Sequence, residues 1–369
     1  MRTQTKKILI TGGHVTPAIA VIDQIRSLNL PWTIVFVGRT KAVEGGSHFD
    51  LEKKLIEEKN IAFIPIQTGR IQRSFTKYTL VSLIKIPFGF VHAMSILRKE
   101  KPNLILSFGG YIAVPIVVAA ALLKIPVVTH EQTRKPGLAN RLIAHFAKRI
   151  FVSFEDIGKS FPPSKVVYTG LPIRKEILEP SQKPPFAVDL RHYPVIYVTG
   201  GSTGSESINN LLFPIIPELL QNYTVIHQTG FASFVEAHEL RRRLSSTVRD
   251  RYIIGKYFEG EEASWIIQHA SLVVGRSGAN TVMELALLGK RAICIPLPWA
   301  GAGEQSENAH WLESLGLSDV IEQKTATSES LQNRIVRKLT EKPEEPSRVS
   351  SLPRDGAKRV TDELTLLLA

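Results

Sequence analysis

The sequence predicts an α/β protein with two domains, each organised around a parallel β-sheet. At 369 residues, the chain is too long for a single compact core. Its 43% hydrophobic and 22% charged residues are typical of a globular protein. Both halves begin with the same pattern, a short apolar run, a Gly-Gly turn and a helical periodicity, at Lys7 and again at Val195. Strands that alternate with helices indicate parallel sheets.

The positive charge of the chain is concentrated in its first half. The formal net charge is +12, of which residues 1–170 contribute +14 and the remainder −2. A basic region suits nucleic acid, an anionic membrane surface or a phosphorylated substrate, and charge alone does not choose among them. The single cysteine, Cys294, lies in an apolar pattern, which indicates a reducing compartment without structural disulfides. No signal-like segment precedes the first strand, so a cytoplasmic location is expected.

The first predicted strand, Lys7 to Ile10, leads into the turn Thr11-Gly12-Gly13-His14 and a helix through Leu28. Two glycines let the backbone turn tightly or approach a ligand. A histidine in such a turn faces the ligand edge of the sheet and has a pKa suited to a catalytic base, although a structural histidine is the alternative. The turn does not match G-x-G-x-x-G, which disfavours dinucleotide binding.

Polar clusters follow three strands of this half. Further strands are predicted at Thr33 to Val37, Ile61 to Pro65, Asn103 to Phe108 and Ile125 to Thr129. The clusters are His14 after the first strand, Tyr111 after Gly109-Gly110, and His130, Glu131 and Gln132 after the strand that ends at Thr129. In an open parallel sheet, such clusters face one crevice. The alternative is a chance coincidence of turn residues.

A basic and aromatic stretch, Gly69 to Tyr78, precedes the apolar run Leu80 to Met94. This run contains Lys85 and Pro87 and is too short for a membrane span. A surface that touches lipid headgroups and a buried helix with a basic flank are equally compatible with it. The first reading predicts binding to anionic vesicles through the residues Arg70, Arg73, Lys77 and Lys85.

Prolines and glycines between Ser153 and Pro180 predict the domain boundary. The second half then opens with a strand, Val195 to Thr199, and the turn Gly200 to Ser205. This turn is able to cradle a pyrophosphate through backbone N–H groups, and it lacks the lysine of a P-loop. Strands near Thr224 to His227 and Tyr252 to Ile254 follow, and Asp362 to Leu368 predicts a terminal helix.

The stretch Leu272 to Ala309 predicts a nucleotide-sugar pocket. A buried strand breaks at Gly275, and the turn Arg276 to Ala279 opens a helix whose first N–H groups form an anion site. Glu284 lies about a turn and a half into that helix, where its carboxylate is able to accept hydrogen bonds from a ribose diol. The next strand, Arg291 to Ile295, leads through a Pro/Gly-rich loop to Glu304-Gln305-Ser306-Glu307-Asn308. An ordinary βαβ unit with a solvated acidic helix is the alternative.

Taken together, these motifs resemble those of the MurG family of glycosyltransferases. The matching segments run through nearly the whole chain in the family's order: TGGHVTP, SFGGYIAVP, PVVTHEQ, GLPIR, VTGGSTGS, RSGANTVMELALLGKRAICIPLP and EQSENA. The resemblance implies a GT-B fold, two Rossmann-like domains with parallel sheets facing a central cleft. It implies an acceptor-binding, membrane-facing domain over residues 1–172, a UDP-GlcNAc-binding domain over 173–350, and a helix at 351–369 that returns to the first domain.

The resemblance also assigns roles to individual residues. It implies His14 as the catalytic base and Glu131 as a residue on the acceptor side. If His14 is not the base, Glu131 is the next candidate. The implied acceptor-side residues are Thr11, Gly12, Gly13, Tyr111, His130 and Gln132. The implied donor-side residues are Arg174, Gly201, Ser202, Ser277, Gly278, Glu284, Gln305 and Asn308. The chain departs from the family at Leu9-Ile10, where a Gly-Gly pair is usual, at Thr133, where Asn is usual, and at Glu304, where Gln or His is common.

The activity implied by the resemblance is inverting transfer of GlcNAc from UDP-GlcNAc to the C4 hydroxyl of the muramyl residue of lipid I, in peptidoglycan synthesis. No Asp-x-Asp motif for a divalent ion is seen, so no metal or cofactor is expected. The expected partners are UDP-GlcNAc, lipid I, the cytoplasmic face of the cell membrane, where the protein would be peripheral, and other cell-wall synthesis proteins. Nucleic acid is not expected, because it would leave the donor-like second half unexplained.

Two alternatives share the expected fold. A UDP-GlcNAc 2-epimerase would use the same nucleotide contacts but no lipid acceptor. Another GT-B transferase would use a different acceptor. Products formed from the donor alone distinguish the first alternative.

Overall fold

A computed structural model describes residues 5–39, 51–69, 79–179, 183–188, 192–201, 204–299, 303–342 and 349–369, with the backbone alone at 51, 79–85 and 350. The chain forms two compact units. The first unit comprises Met1–Arg174 and Asp355–Ala369, and the second comprises Lys175–Arg354. Of the residues singled out in the sequence, Ser202, Arg70, Arg73, Lys77 and the side chain of Lys85 lie outside the described part.

The first unit contains a seven-stranded sheet in which every neighbouring pair is parallel. Its strands are β1 (Lys6–Thr11), β2 (Trp32–Gly38), β3 (Ala62–Pro65), β4 (Leu104–Ser107), β5 (Val127–Glu131), β6 (Arg149–Val152) and β7 (Val166–Tyr168). The spatial order is β3-β2-β1-β4-β5-β6-β7. Thr11 pairs with Ser107, and Ser107 with Thr129, so β1, β4 and β5 end at one edge of the sheet.

Helices cover both faces of this sheet. They are α1 (Val15–Ser27), α2 (Leu51–Glu57), α3 (Thr79–Glu100), α4 (Ala113–Leu122), α5 (Leu138–Phe146) and, at the end of the chain, α15 (Gly356–Leu368). The core on one face joins residues of α1 and α15 to Ile10 of β1. The core on the other face joins residues of α3, α4 and α5 to Leu9. Leu9 and Ile10 thus bury opposite faces of one strand, because side chains alternate along it.

The apolar run Leu80 to Met94 lies within α3, which contains Pro87. One side of this helix enters the core through Ala93, Ile96 and Leu97. Phe88 and Val91 are exposed, at 71% and 66%. Within the part of the chain that the structure describes, no helix has both the length and the apolar character needed to cross a membrane.

Two features of this unit differ from the predictions. β5 continues through Glu131, where a strand end at Thr129 was expected, because His130 and Glu131 pair with Phe151 and Val152 of β6. The stretch from Ser153 to Pro180, predicted as the domain boundary, contains β7, which belongs to the sheet of the first unit. Both β5 and β7 pair with β6, and this pairing stabilises His130 and Glu131 in a strand although their own strand propensity is low.

The second unit contains a six-stranded parallel sheet in the order β10-β9-β8-β11-β12-β13. Its strands are β8 (Val195–Thr199), β9 (Thr224–Gln228), β10 (Tyr252–Gly255), β11 (Leu272–Gly275), β12 (Ala292–Cys294) and β13 (Ser318–Val320). The two sheets confirm the predicted fold class of two parallel α/β domains. Gly275 belongs to β11 and pairs with Thr199 of β8, so the carboxyl ends of these two strands are adjacent.

Helices also surround the second sheet. They are α6 (Lys175–Leu178), α7 (Glu206–Leu212), α8 (Ile216–Asn222), α9 (Phe234–Arg243), α10 (Ser246–Arg249), α11 (Gly260–His269), α12 (Ala279–Leu287), α13 (Glu304–Ser314) and α14 (Ser328–Thr340). A core between the sheet and α7, α8 and α14 includes Ile196, Ile208 and Leu331, each fully buried.

His227 of β9 is the centre of a buried polar network in this unit. Its Nδ1 lies 3.0 Å from the Tyr252 hydroxyl, and its Nε2 lies 3.0 Å from Oδ1 of Asn209. The side chain is 0% exposed, and this burial lowers its pKa to about 3. His227 is therefore neutral in the folded protein at all but strongly acidic pH.

We expect His227 to make folding stability sensitive to acid. Its folded pKa is below the unfolded value near 6.5, so protons bind preferentially to the unfolded chain as the pH falls below that value. The resulting loss is about 1.4 kcal/mol for each pH unit. His227→Gln, which does not titrate, should reduce the loss between about pH 7 and about pH 5 by about 2 kcal/mol in urea unfolding. His310→Gln, at an exposed side chain, is the control. Equal acid sensitivity of wild type and His227→Gln would contradict this role.

Candidate active site

The turn after β1 is held by a carboxylate from α2. Gly12 N donates to Val37 O at 2.7 Å, and Gly13 N donates to Oε1 of Glu52 at 3.4 Å. Oε2 of Glu52 accepts from Arg39 N at 3.2 Å. A Cβ at Gly12 would overlap the Glu52 carboxylate. Both glycine N–H groups are therefore used within the protein, and a larger residue at position 12 would displace the Glu52 carboxylate.

The two glycine turns of the first unit touch each other. Gly13 has φ +138°, and a Cβ there would lie 2.5 Å from Gly109 O. Gly110 has φ +76°, and a Cβ added there would lie 3.2 Å from Gly13 Cα. Such close approach and positive φ are accessible to glycine alone without strain. The structure thus brings the turn that carries His14 against the turn that carries Tyr111.

His14 is the N-terminal capping residue of α1, and its side chain makes no capping hydrogen bond. The ring is partly buried. Burial, the charge of His130 and the charge of Arg39, in that order, lower its pKa to about 4. The imidazole is consequently neutral at physiological pH and retains a lone pair that is able to accept a proton.

The polar groups at the ends of β1 and β5 are deeply buried. His130 is 0% exposed, and its Nε2 lies 3.1 Å from Gly170 O. Burial lowers the pKa of His130 to about 4, although hydrogen bonds with the Gly170 backbone and the Gln132 side chain act to raise it. Gln132 Nε2 donates to Phe108 O at 3.3 Å. Thr11 Oγ1, His130 Nδ1 and Gln132 Oε1 make no well-formed hydrogen bond with any described residue.

Glu131 has a different environment from His14. It is 2% exposed, and Oε1 accepts from Thr133 N at 3.0 Å and from Thr133 Oγ1 at 2.7 Å. Oε2 accepts from Asn140 Nδ2 at 2.9 Å and from Gly137 N at 3.3 Å. Burial raises the pKa of Glu131, and these hydrogen bonds oppose the increase. A carboxylate has about four lone-pair positions, so internal donors already occupy them.

In the second unit, an amide side chain that the sequence reasoning missed supports the glycine turn after β8. Gln228 Nε2 donates to Thr199 Oγ1 at 3.1 Å and to Gly201 O at 2.9 Å. Its Oε1 accepts from the Tyr197 hydroxyl at 3.3 Å and from Phe258 N at 3.0 Å. A polar residue at the end of a buried strand was the available signal. Gly201, with φ +82°, depends on this support for its position.

Arg276 is a second residue that was not singled out in the sequence. It follows β11 directly, and its side chain reaches Ile295 O as well as the hydroxyls of Ser205 and Ser207 at the start of α7. The guanidinium thus joins the ends of β11 and β12 to the segment that follows the glycine turn. An arginine in a turn directly after a buried strand was the available signal.

The turn before α12 is fastened to α13. Ser277 Oγ donates to Gln305 O at 2.7 Å, and Asn308 Nδ2 donates to Ser277 O at 3.1 Å. Gln305 Oε1 accepts from Leu297 N at 2.9 Å. Gly278 is the N-terminal capping residue of α12, and a Cβ there would meet no atom within 4 Å. Among the residues that the structure describes, none therefore fills the position beside Gly278, and the adjacent turn is held by Ser277 and Asn308.

Two further residues predicted to bind the donor lie in these units. Glu284 lies on α12 and is 8% exposed. Burial of Tyr197 is the main cause of its raised pKa, and the charge of Glu284 adds to this increase. Arg174 packs with the first unit, and its Nε is buried without a hydrogen bond to any described residue.

In the described part of the chain, no group of three or more His, Cys, Asp or Glu side chains is arranged to hold a metal ion.

Family models match both units of the chain. The glycosyltransferase family 28 N-terminal domain matches residues 11–152, and the family 28 C-terminal domain matches residues 195–363. A Bacillus cereus protein named UDP-N-acetylglucosamine--N-acetylmuramyl-(pentapeptide) pyrophosphoryl-undecaprenol N-acetylglucosamine transferase 2 is 34% identical over 88% of this chain and 89% of its own length. A Clostridium botulinum transferase has the same name without the numeral. It is 32% identical over 89% of this chain and 90% of its own length.

Solved structures agree with the family models. The crystal structure of Acinetobacter baumannii MurG is 25% identical and matches with a TM-score of 0.66 over 98% of this chain and 99% of its own. The UDP-GlcNAc 2-epimerase from Neisseria meningitidis, bound to UDP-GlcNAc, matches with a TM-score of 0.63 over 98% of this chain and 100% of its own. Its sequence identity is 15%, so this match shows a shared fold alone. These findings confirm the predicted GT-B fold class and the relationship to MurG transferases. With both units matched by family models and relatives above 30% identity over most of its length, the chain belongs to glycosyltransferase family 28.

Proposed function

We propose that this chain transfers GlcNAc from UDP-GlcNAc to the C4 hydroxyl of the muramyl residue of lipid I, with inversion at the anomeric carbon. The observation that carries the proposal is the neutral, partly exposed His14 at the strand edge of the first unit, in a chain 34% identical to a named transferase over 88% of its length. A neutral imidazole there has the form that a general base requires.

The proposed reaction is a single displacement. His14 removes the proton from the C4 hydroxyl as that oxygen bonds to the anomeric carbon of GlcNAc. The bond from this carbon to the UDP oxygen breaks, and UDP leaves with the electron pair. The anomeric carbon develops positive character as in glycoside hydrolysis, and the leaving diphosphate gains negative charge.

We assign the donor to the second unit. The glycine turn at Gly201 and the open N-terminus of α12 at Gly278 offer backbone N–H groups to the diphosphate. Glu284 would accept hydrogen bonds from the ribose diol, Gln305 would contact the sugar, and Ser202 would contact the diphosphate. Arg174, which the resemblance also assigns to the donor, belongs to the first unit. Ser277 and Asn308 hold the turn against α13, and so they would support the site through this junction.

We assign the acceptor to the first unit. This assignment rests on the position of Thr11, His130 and Gln132, polar residues at or directly after the carboxyl ends of β1 and β5, where parallel sheets bind ligands. Gly12, Gly13 and Tyr111 would shape this surface. We assign Glu131 to anchoring the loop from Thr133 to Gly137, because its oxygens are already occupied by four donors.

An apolar surface on the first unit supports a peripheral position on the cytoplasmic face of the membrane. Six exposed apolar residues of this unit lie on α3, α4 and α5, which pack on one face of the sheet: Phe88, Val91, Leu122, Leu138, Leu142 and Phe146. Leu28 and Leu366 are exposed elsewhere on the unit. Exposed Arg141 and Lys148 lie on or just beyond α5. Apolar side chains flanked by cations suit an anionic lipid surface, and a lipid-linked acceptor is presented there.

We expect the double variant Phe88→Ser, Val91→Ser to weaken binding to vesicles of anionic phospholipid by about tenfold or more, because two apolar side chains no longer enter the lipid. Co-sedimentation measures this effect, and binding of the wild type should decline with salt. Phe231→Ser, Val235→Ser is the matched control, since it removes an equally exposed pair from the second unit. If the control loses binding, or if the α3 variant keeps it, the membrane surface lies elsewhere.

The activity is tested by product analysis with and without acceptor. Donor alone should remain UDP-GlcNAc, and addition of a lipid I analogue should yield a disaccharide product and one UDP for each transfer. Formation of the 2-epimer from donor alone would establish the epimerase alternative. UDP release with a different lipid-linked acceptor, but none with the lipid I analogue, would establish a transferase of other specificity.

A further inference from the structure

Arg276 is a buried cation whose hydrogen-bond acceptors are all neutral. It is 9% exposed. Its Nη1 donates to Ile295 O at 2.8 Å, and its Nη2 donates to Ser205 Oγ at 2.8 Å and to Ser207 Oγ at 2.7 Å. No ion pair joins it to an Asp or Glu within the described ranges. Such a charge is unusual in a protein interior, where cations are normally paired.

The surroundings of Arg276 add further positive potential. Burial lowers its pKa to about 10, so the guanidinium remains charged at neutral pH. Two residues later, Gly278 caps the N-terminus of α12, where unpaired N–H groups carry the positive end of the helix dipole. No atom of the described residues lies within 4 Å of a Cβ built at Gly278, so an anion has room to approach the N-terminus of α12, which closely follows Arg276 in the chain. A ligand phosphate would supply the missing negative charge.

We propose that Arg276 positions the glycine turn through Ser205 and Ser207 and supplies the charge that makes the second unit prefer a nucleoside diphosphate over an uncharged nucleoside. This inference rests on the proposed function, since UDP is the ligand considered. Arg276 acts as a positioning residue through its neighbours. A purely structural role, in which the guanidinium only joins three segments, predicts that both classes of ligand are affected equally.

The test compares the affinities for UDP and for uridine by calorimetric titration. We expect the wild type to prefer UDP and Arg276→Gln to lose about tenfold or more of this preference, because an uncharged amide replaces the cation. Arg276→Lys keeps the charge but not the planar donors that reach Ile295, Ser205 and Ser207, so it should bind both ligands more weakly and still retain the preference for UDP within about threefold. Arg291→Gln is the matched control. Arg291 directly precedes β12, and its guanidinium also donates to backbone carbonyls, those of Lys338 and Glu341. Its preference should equal that of the wild type.

Parallel weakening of UDP and uridine in folded Arg276→Gln would overturn the proposal and leave a structural role. If that variant does not fold, Arg276→Lys decides: loss of the UDP preference in a folded lysine variant overturns the proposal, and its retention supports it. Failure of the proposed function has a different signature. If the chain were an epimerase or used another acceptor, transfer to the lipid I analogue would be absent while the UDP preference and its dependence on Arg276 remained.

Discussion

His14→Ala is expected to lower turnover by about two to four powers of ten, the usual contribution of a general base. The affinity for UDP-GlcNAc should stay nearly constant, because the donor is assigned to the second unit. Folding should also be retained, since the His14 side chain makes no capping hydrogen bond to α1. Turnover, donor affinity and thermal unfolding measured on one preparation separate these effects.

Glu131→Gln provides the contrast for His14→Ala. The Glu131 carboxylate anchors a loop through four hydrogen bonds, so we expect its replacement to lower stability more than turnover in the molecules that remain folded. A folded His14→Ala with near-normal turnover, together with a folded but inactive Glu131→Gln, would transfer the role of base to Glu131.

The pH dependence gives an independent check on His14. A base must be deprotonated to act, and the pKa of His14 is lowered to about 4, so the base form predominates well below neutrality. The value of kcat/KM should therefore be nearly flat from about pH 7 to about pH 5.5, where an ordinary histidine would lose about tenfold of its base form. A midpoint near 6.5 would show that His14 is not held in this environment during catalysis.

Glu284→Ala is expected to weaken UDP binding by about 1.5–3 kcal/mol, which corresponds to roughly 10-fold to 150-fold. The cause is the loss of a charged acceptor for the two ribose hydroxyls. The same variant should lose the preference of the wild type for UDP over 2′-deoxy-UDP, because that preference depends on the diol. Acceptor binding should change little.

Glu329→Ala is the control for Glu284→Ala, since Glu329 is an exposed carboxylate on α14, outside the segments assigned to the donor. Calorimetry with UDP and 2′-deoxy-UDP on both variants gives four affinities. Equal weakening of both nucleotides in Glu284→Ala would indicate a general effect on the site, and no weakening would remove Glu284 from ribose binding.

Sequence reasoning located strand ends and glycine turns well, since glycine, proline and apolar periodicity report local structure directly. The turn with His14, the turn with Tyr111 and the helix with Glu284 were all predicted in this way. The same reasoning missed Glu52, Gln228 and Arg276. These residues act through contacts between segments distant in the chain, such as Glu52 with Gly13 and Arg276 with Ile295. A single sequence contains no signal for such distances.

Glu131 illustrates the second limit. In the sequence it follows an apolar run beside His130 and Gln132, and its chemistry suits a base as well as a structural anchor. Only the positions of Thr133, Gly137 and Asn140 show that internal donors occupy its oxygens. Residue type therefore limits the possible chemistry, while the packing around the residue decides which of these possibilities is available.

The most direct measurement of the central claim is a single-turnover transfer of radiolabelled GlcNAc from UDP-GlcNAc to two lipid I analogues that differ only at C4 of the muramyl residue. With the C4 hydroxyl present, the label should move to the lipid product as a β-linked sugar, and one UDP should be released for each transfer. With the 4-deoxy analogue, no label should move. Transfer to the 4-deoxy analogue, an α-linked product, or conversion of UDP-GlcNAc to its 2-epimer without transfer would contradict the claim.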